Sequence, residues 1–142
     1  MQKFIFLKHT ADIKFQAFGA TLEKAFENSA LALAKSICSE KIKSKKKNLI
    51  QLQAEGVTDN ENLLKSFLEE FLYLFETENF LVSEIKKLEI EEKSGAYFVY
   101  CEMFGDDAKN YEIDEHVKAI TYNEMFVKKI KNKFVCQVVL DV

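Results

Sequence analysis

Asn60-Glu61-Asn62-Leu63-Leu64-Lys65-Ser66-Phe67-Leu68-Glu69-Glu70-Phe71-Leu72-Tyr73-Leu74-Phe75-Glu76 repeats its apolar side chains at intervals of three and four. Leu63, Leu64, Phe67, Leu68, Phe71, Leu72 and Phe75 therefore share one face of an amphipathic helix. The helix is expected to start near Asp59 or Asn60, with Glu69, Glu70 and Glu76 on its polar side. Upstream, Leu22, Ala25, Phe26, Ser29, Ala30, Leu33, Ala34 and Ile37 keep the same rhythm behind Thr21, a residue type suited to an N-cap. That pattern predicts a second helix, running to about Ser39.

Elsewhere the pattern alternates with period two, the mark of strands. Lys14–Phe18 reads as a strand closed by Gly19, and Asn48–Gln53 as another. Ile85–Glu92 and Tyr97–Phe104 flank Lys93-Ser94-Gly95-Ala96, a hairpin signal. His116–Tyr122, Phe126–Ile130 and Lys133–Leu140 predict three more strands, the last two joined by a tight turn at Lys131-Asn132. In the final strand Phe134, Cys136, Val138 and Leu140 share one face, and Val135, Gln137, Val139 and Asp141 the other. The class is α+β, with two amphipathic helices packed on a largely antiparallel mixed sheet. At 142 residues, without internal repeats or a flexible linker, the chain is expected to form one domain over residues 1–142.

Composition narrows the function. Hydrophobic residues make up 48% and charged residues 30%, the balance of a globular chain, and thirteen Phe supply an aromatic core. The net charge of -3 argues against general affinity for a nucleic-acid backbone. Every basic residue is Lys, so bidentate Arg clamping of phosphate is not available. Cys38, Cys101 and Cys136 form no CxxC pair and read as reduced thiols. Neither a signal peptide nor a membrane-spanning run is expected, and a cytoplasmic location is. Lys41–Lys47 reads as a solvated connection that could also touch RNA or a protein.

With four glycines, none clustered, there is no phosphate loop, and GxSxG and HExxH are absent. Two histidines are too few for a His-rich metal cluster. Oxygen chemistry remains. Asp12 lies in the turn Lys8-His9-Thr10-Ala11-Asp12 between two predicted strands, and Asp141 stands one residue from the carboxylate of Val142. If these groups converge, three negative charges require a cation, and an all-oxygen set suits Ca²⁺ or Mg²⁺ rather than zinc. The alternative is a turn-forming Asp12 and a frayed end. His9 is either bonded to backbone or a support for Asp12. Lys118 reads equally as a solvent-facing strand residue.

His9-Thr10-Ala11-Asp12-Ile13, the segment Asn62–Glu76, Val117-Lys118-Ala119-Ile120-Thr121-Tyr122 and the ending Val138-Val139-Leu140-Asp141-Val142 occur in the order of the archease family, which the chain resembles over essentially its full length. The resemblance implies an accessory protein of a GTP-dependent RtcB-type RNA ligase, promoting ligase guanylylation and multiple turnover in tRNA splicing and RNA repair. It implies no enzymatic turnover of the chain's own. Asp12, Asp141 and the terminal carboxylate of Val142 would bind a divalent ion, Ca²⁺ by preference and Mg²⁺ as the alternative. Lys118 would act on the ligase, with His9 supporting the site. RNA would be engaged only indirectly, and no membrane is involved. Two positions depart from the family pattern: His116 stands where Glu is usual, and Asn123 where His is frequent. The competing classes are a metal-dependent phosphohydrolase and a chaperone-like protein-binding module.

Overall fold

The structure, a computed structural model, describes residues 2–56 and 59–142. Its elements follow the order β1 (Phe4–Leu7), β2 (Ile13–Gly19), α1 (Leu22–Ile37), β3 (Lys46–Glu55), α2 (Asn60–Glu78), β4 (Phe80–Lys93), β5 (Ala96–Asp107), β6 (Ala119–Ile130) and β7 (Lys133–Asp141). A single 3₁₀ turn, Ala108–Asn110, follows β5.

Both helices begin where their caps direct. Thr21 accepts a hydrogen bond from the Lys24 backbone N–H at 3.1 Å, and Asp59 accepts one from that of Asn62 at 2.8 Å. Gly19 lets β2 turn into α1, because a Cβ there would stand 2.3 Å from the Ala25 nitrogen. α1 ends at Ile37, two residues before Ser39, with the Cys38 N–H bonded to the Ala34 carbonyl. α2 ends on Asn79, which adopts the left-handed conformation usually given to glycine (φ 54°) and leads directly into β4.

The strands divide between two sheets instead of forming one. A four-stranded sheet runs β1-β2-β7-β6 and a three-stranded sheet runs β3-β5-β4. Every pairing among the described residues is antiparallel. Each helix packs against strands of both sheets, so the two sheets share one apolar core. Phe15, Phe26 and Phe67 lie at its centre without solvent exposure, the Phe26 and Phe67 rings 5.7 Å apart and Phe71 edge-on to Phe67 at 5.0 Å. The β4–β5 hairpin turns on Ser94 and Gly95, both at positive φ, as a two-residue turn requires. No helix among the described residues is long and apolar enough to cross a membrane.

Two expectations near the end need correction. His116, Val117 and Lys118 precede the strand instead of belonging to it, and the two strands expected over His116–Tyr122 and Phe126–Ile130 are one element, β6. Its ladder to β7 holds from Ala119 to Thr121, skips, and resumes at Phe126. The residues between bulge away from β7, with Glu124 in the left-handed region (φ 54°). β7 is buried on both faces: Cys136, Val138 and Leu140 join the core, while Val135, Gln137 and Val139 are also covered. The Gln137 amide donates to the Glu124 carbonyl in the bulge at 2.7 Å, which explains how a Gln is tolerated there.

All three cysteines are free and buried, and burial pushes the Cys101 and Cys136 thiols up to about 12. The native protein should therefore leave its thiols unmodified by a maleimide at neutral pH and release three on unfolding, as counted by mass spectrometry. Phe67→Ala should cost about 3–5 kcal/mol of folding free energy, measured by urea titration.

Candidate metal centre

The β2–β7 ladder runs from Ile13 opposite Leu140 to Gly19 opposite Phe134. Asp12 is the residue just before the first pair of this ladder and Asp141 the residue just after it, so both acids flank the Ile13–Leu140 pair. On the other side of Asp141 stands β6. Ala119 pairs with Asp141, and the Lys118 N–H donates to the Asp141 carbonyl at 2.7 Å. Asp12, Asp141 and Lys118 thus meet at one end of the four-stranded sheet. Val142 follows, half-buried against the core.

Asp12 sits on a tight turn. Its N–H bonds the Thr10 carbonyl at 2.8 Å, two residues back, and Ala11 between them has φ 65°. That is a γ-turn, in a conformation an alanine adopts at a cost of about 1–3 kcal/mol. His9 braces it. Its Nε2 lies 2.8 Å from a Glu124 carboxylate oxygen, and its Nδ1 lies 3.9 Å from an Asp12 carboxylate oxygen. The other Glu124 oxygen accepts from the Lys14 ammonium at 3.2 Å. The hydrogen bond from His9, then those from Lys14 and its charge, hold the Glu124 carboxyl below the usual carboxylate range. Neither of His9's two expected roles is seen: its ring bonds the Glu124 carboxylate, not backbone, and its Nδ1 stands 3.9 Å from Asp12, beyond hydrogen-bond distance.

Glu124 was not legible as part of this neighbourhood. The only trace in the sequence is the lapse of alternation between Tyr122 and Phe126, which marks the bulge without saying where it reaches. Tyr122, exposed on the same bulge, donates its hydroxyl to the Asn62 side chain and has the Lys65 ammonium 5.0 Å from its ring centre, so the bulge is tied to α2 as well. His116 and Asn123 are exposed.

The approach to Lys118 is fixed at two places. Asp106, at the end of β5, accepts from the Tyr111 hydroxyl at 2.7 Å and the Asp107 N–H at 2.8 Å. Asp114 accepts from the Ser39 N–H at 2.6 Å, while its own N–H bonds the Ile37 carbonyl at the end of α1. Val117 is buried, leaving Lys118 exposed beside Asp141.

Two side-chain carboxylates at one sheet end are oxygen donors of the kind a hard cation takes. Among the described residues no three His, Cys, Asp or Glu side chains form a metal-binding group. The buried Nδ1 of His9, without a hydrogen-bond partner in the protein, faces the same place. Oxygen donors of this kind would suit a divalent ion of the calcium or magnesium type.

A two-sheet α+β domain whose distant segments join to set paired acids at one sheet end defines the class. The model of the archease protein family matches residues 4–142, and the chain belongs to that family. It is 39% identical to the archease of Pyrococcus furiosus over the whole of both chains. It is 37% identical to that of Methanosarcina barkeri, over 99% of this chain and 97% of the other. The solution structure of protein 1598 from Methanobacterium thermoautotrophicum superposes with a TM-score of 0.82 at 28% identity, covering all of both chains. An archease, possible chaperone, from Thermotoga maritima shares the fold, with a TM-score of 0.57 at 15% identity over 96% of this chain and 94% of that one.

Asp106 and Asp114 are held below the usual carboxylate range, chiefly by the hydrogen bonds from Tyr111 and Ser39 respectively. Groups with depressed values stabilise the fold fully above the unfolded value of about 3.9, and that share is lost as pH falls through the folded values. Urea midpoints should therefore drop below about pH 4, and the drop should be shallower in Asp114→Asn than in the parent chain.

Proposed function

We propose that this archease activates a GTP-dependent RtcB-type RNA ligase, promoting its guanylylation and repeated turnover in tRNA splicing and RNA repair, without turnover of its own. The observation that supports the reading is that Asp12 and Asp141 flank the Ile13–Leu140 pair of the β2–β7 ladder, with the Lys118 N–H bonded to the Asp141 carbonyl. Family membership supports it. Asp12, Asp141 and the terminal carboxylate of Val142 would hold the ion, Ca²⁺ by preference or Mg²⁺. When bound, it supplies positive charge to phosphate oxygens at the ligase's nucleotide site.

The chain's own residues do the positioning. The γ-turn fixes the backbone of Asp12 just before β2, and Val142 is half-buried against the core. Asp114 and Val117 fix the backbone leading to Lys118, whose exposed ammonium contacts the reacting phosphates as a point charge. RNA is met through the ligase, in the cytoplasm.

The direct measurement is transfer of radiolabelled guanylate to a slow RtcB-type ligase with and without this protein. Acceleration is expected, falling at least tenfold in Asp12→Asn and Lys118→Ala. No acceleration by the parent chain would overturn the reading. A carboxy-terminal tag, which turns the Val142 carboxylate into an amide, should abolish Ca²⁺ binding and activation, while an amino-terminal tag should not. Equal activity of the two tagged forms would remove Val142 from the site.

A further inference from the structure

We infer that Glu124 is a positioning residue for the carboxylate site, acting on Asp12 through His9; the inference rests on the metal reading proposed above. The hydrogen bonds trace one connected path. Glu124 reaches from the β6 bulge across the outer face of the four-stranded sheet to two groups flanking the Asp12 turn, His9 before it and Lys14 after it. Its backbone is held in place independently of its side chain, because the carbonyl accepts from Gln137 at 2.7 Å and Gln137 in turn accepts from Gln16 at 2.8 Å.

An ionised carboxylate only accepts hydrogen bonds, so the Glu124 contact places a proton on His9 Nε2. Nδ1 is thereby turned toward Asp12, 3.9 Å from its carboxylate oxygen. This Nδ1 is the one buried side-chain polar atom without a hydrogen-bond partner among the described residues. In the Nε2–H tautomer two acceptors face each other, and a cation or a donor from outside the protein satisfies both. A carboxylate that fixes the tautomer and orientation of a histidine beside a metal site is a recurrent arrangement, and its removal weakens metal binding by about 10–100-fold. The same link fastens the strand that follows Lys118 to the turn that carries Asp12, so one side chain sets the spacing of both.

The test uses the full chain with Ca²⁺ alone as the probe, titrated calorimetrically, together with the ¹⁵N shifts of the His9 ring. The parent chain should bind Ca²⁺ and show His9 as the Nε2–H tautomer. Glu124→Ala should weaken binding about 10–100-fold and give a mixture of tautomers. Glu124→Gln, whose single carbonyl can hold only one of the two donors, should lie between. Parent-like affinity and tautomer in either folded variant would overturn the inference. Should Glu124→Ala not fold, Glu124→Gln decides. A parent chain that binds no Ca²⁺ overturns the metal reading instead, and Asp12→Asn, expected to lose binding altogether, separates the two failures.

Discussion

The pairing of β2 with β7 is the constraint on which the molecule depends. It joins residues near the beginning of the chain to residues near its end, and it places β7 in the interior of the four-stranded sheet between β2 and β6. Because side chains alternate along a strand, a slip of one residue would turn Cys136, Val138 and Leu140 out of the core and turn Gln137 into it. The same slip would carry Asp141 past Asp12. Core packing therefore enforces the register, and the register brings the two acids together. Stability and site geometry are consequences of one ladder.

How much of this could be read from residues alone follows from the range of the forces involved. The helices were legible because amphipathic periodicity and capping act within a few positions: Thr21 and Asp59 cap where expected, and the buried stripes match the predicted apolar faces. The hairpin at Lys93–Ala96 was legible for the same reason. The division into two sheets was not, since alternation says which residues share a face but not which strands are neighbours. The break expected after Tyr122 is a bulge within one strand, because a local lapse in alternation looks the same whether the chain leaves the sheet or only bows away from it.

The candidate site shows a similar split. Asp12 and Asp141 stood out as oxygen donors at a turn and a strand end and Lys118 on motif resemblance, and the ladders end beside all three at one sheet end. Glu124 stayed hidden because its partners, His9 and Lys14, lie 115 and 110 positions away and nothing in the local sequence points to them. Polar contacts of that reach are decided by topology. His9 illustrates the reverse case: its side chain was noticed, but its partner, the Glu124 carboxylate, was not among the roles expected for it.

The β2–β7 ladder also shapes how the chain folds. Gln16 and Gln137, side by side in the sheet, are 121 positions apart, so a very long loop must close before the four-stranded sheet exists. Helices and the β4–β5 and β6–β7 hairpins can form from local contacts, whereas β2 pairs with β7 only when that long loop closes. Such high contact order slows folding and leaves unpaired strand edges exposed during the wait. Asp12 and Asp141 come to the same sheet end only through this closure, so the geometry of the acids depends on the longest-range pairing in the sheet.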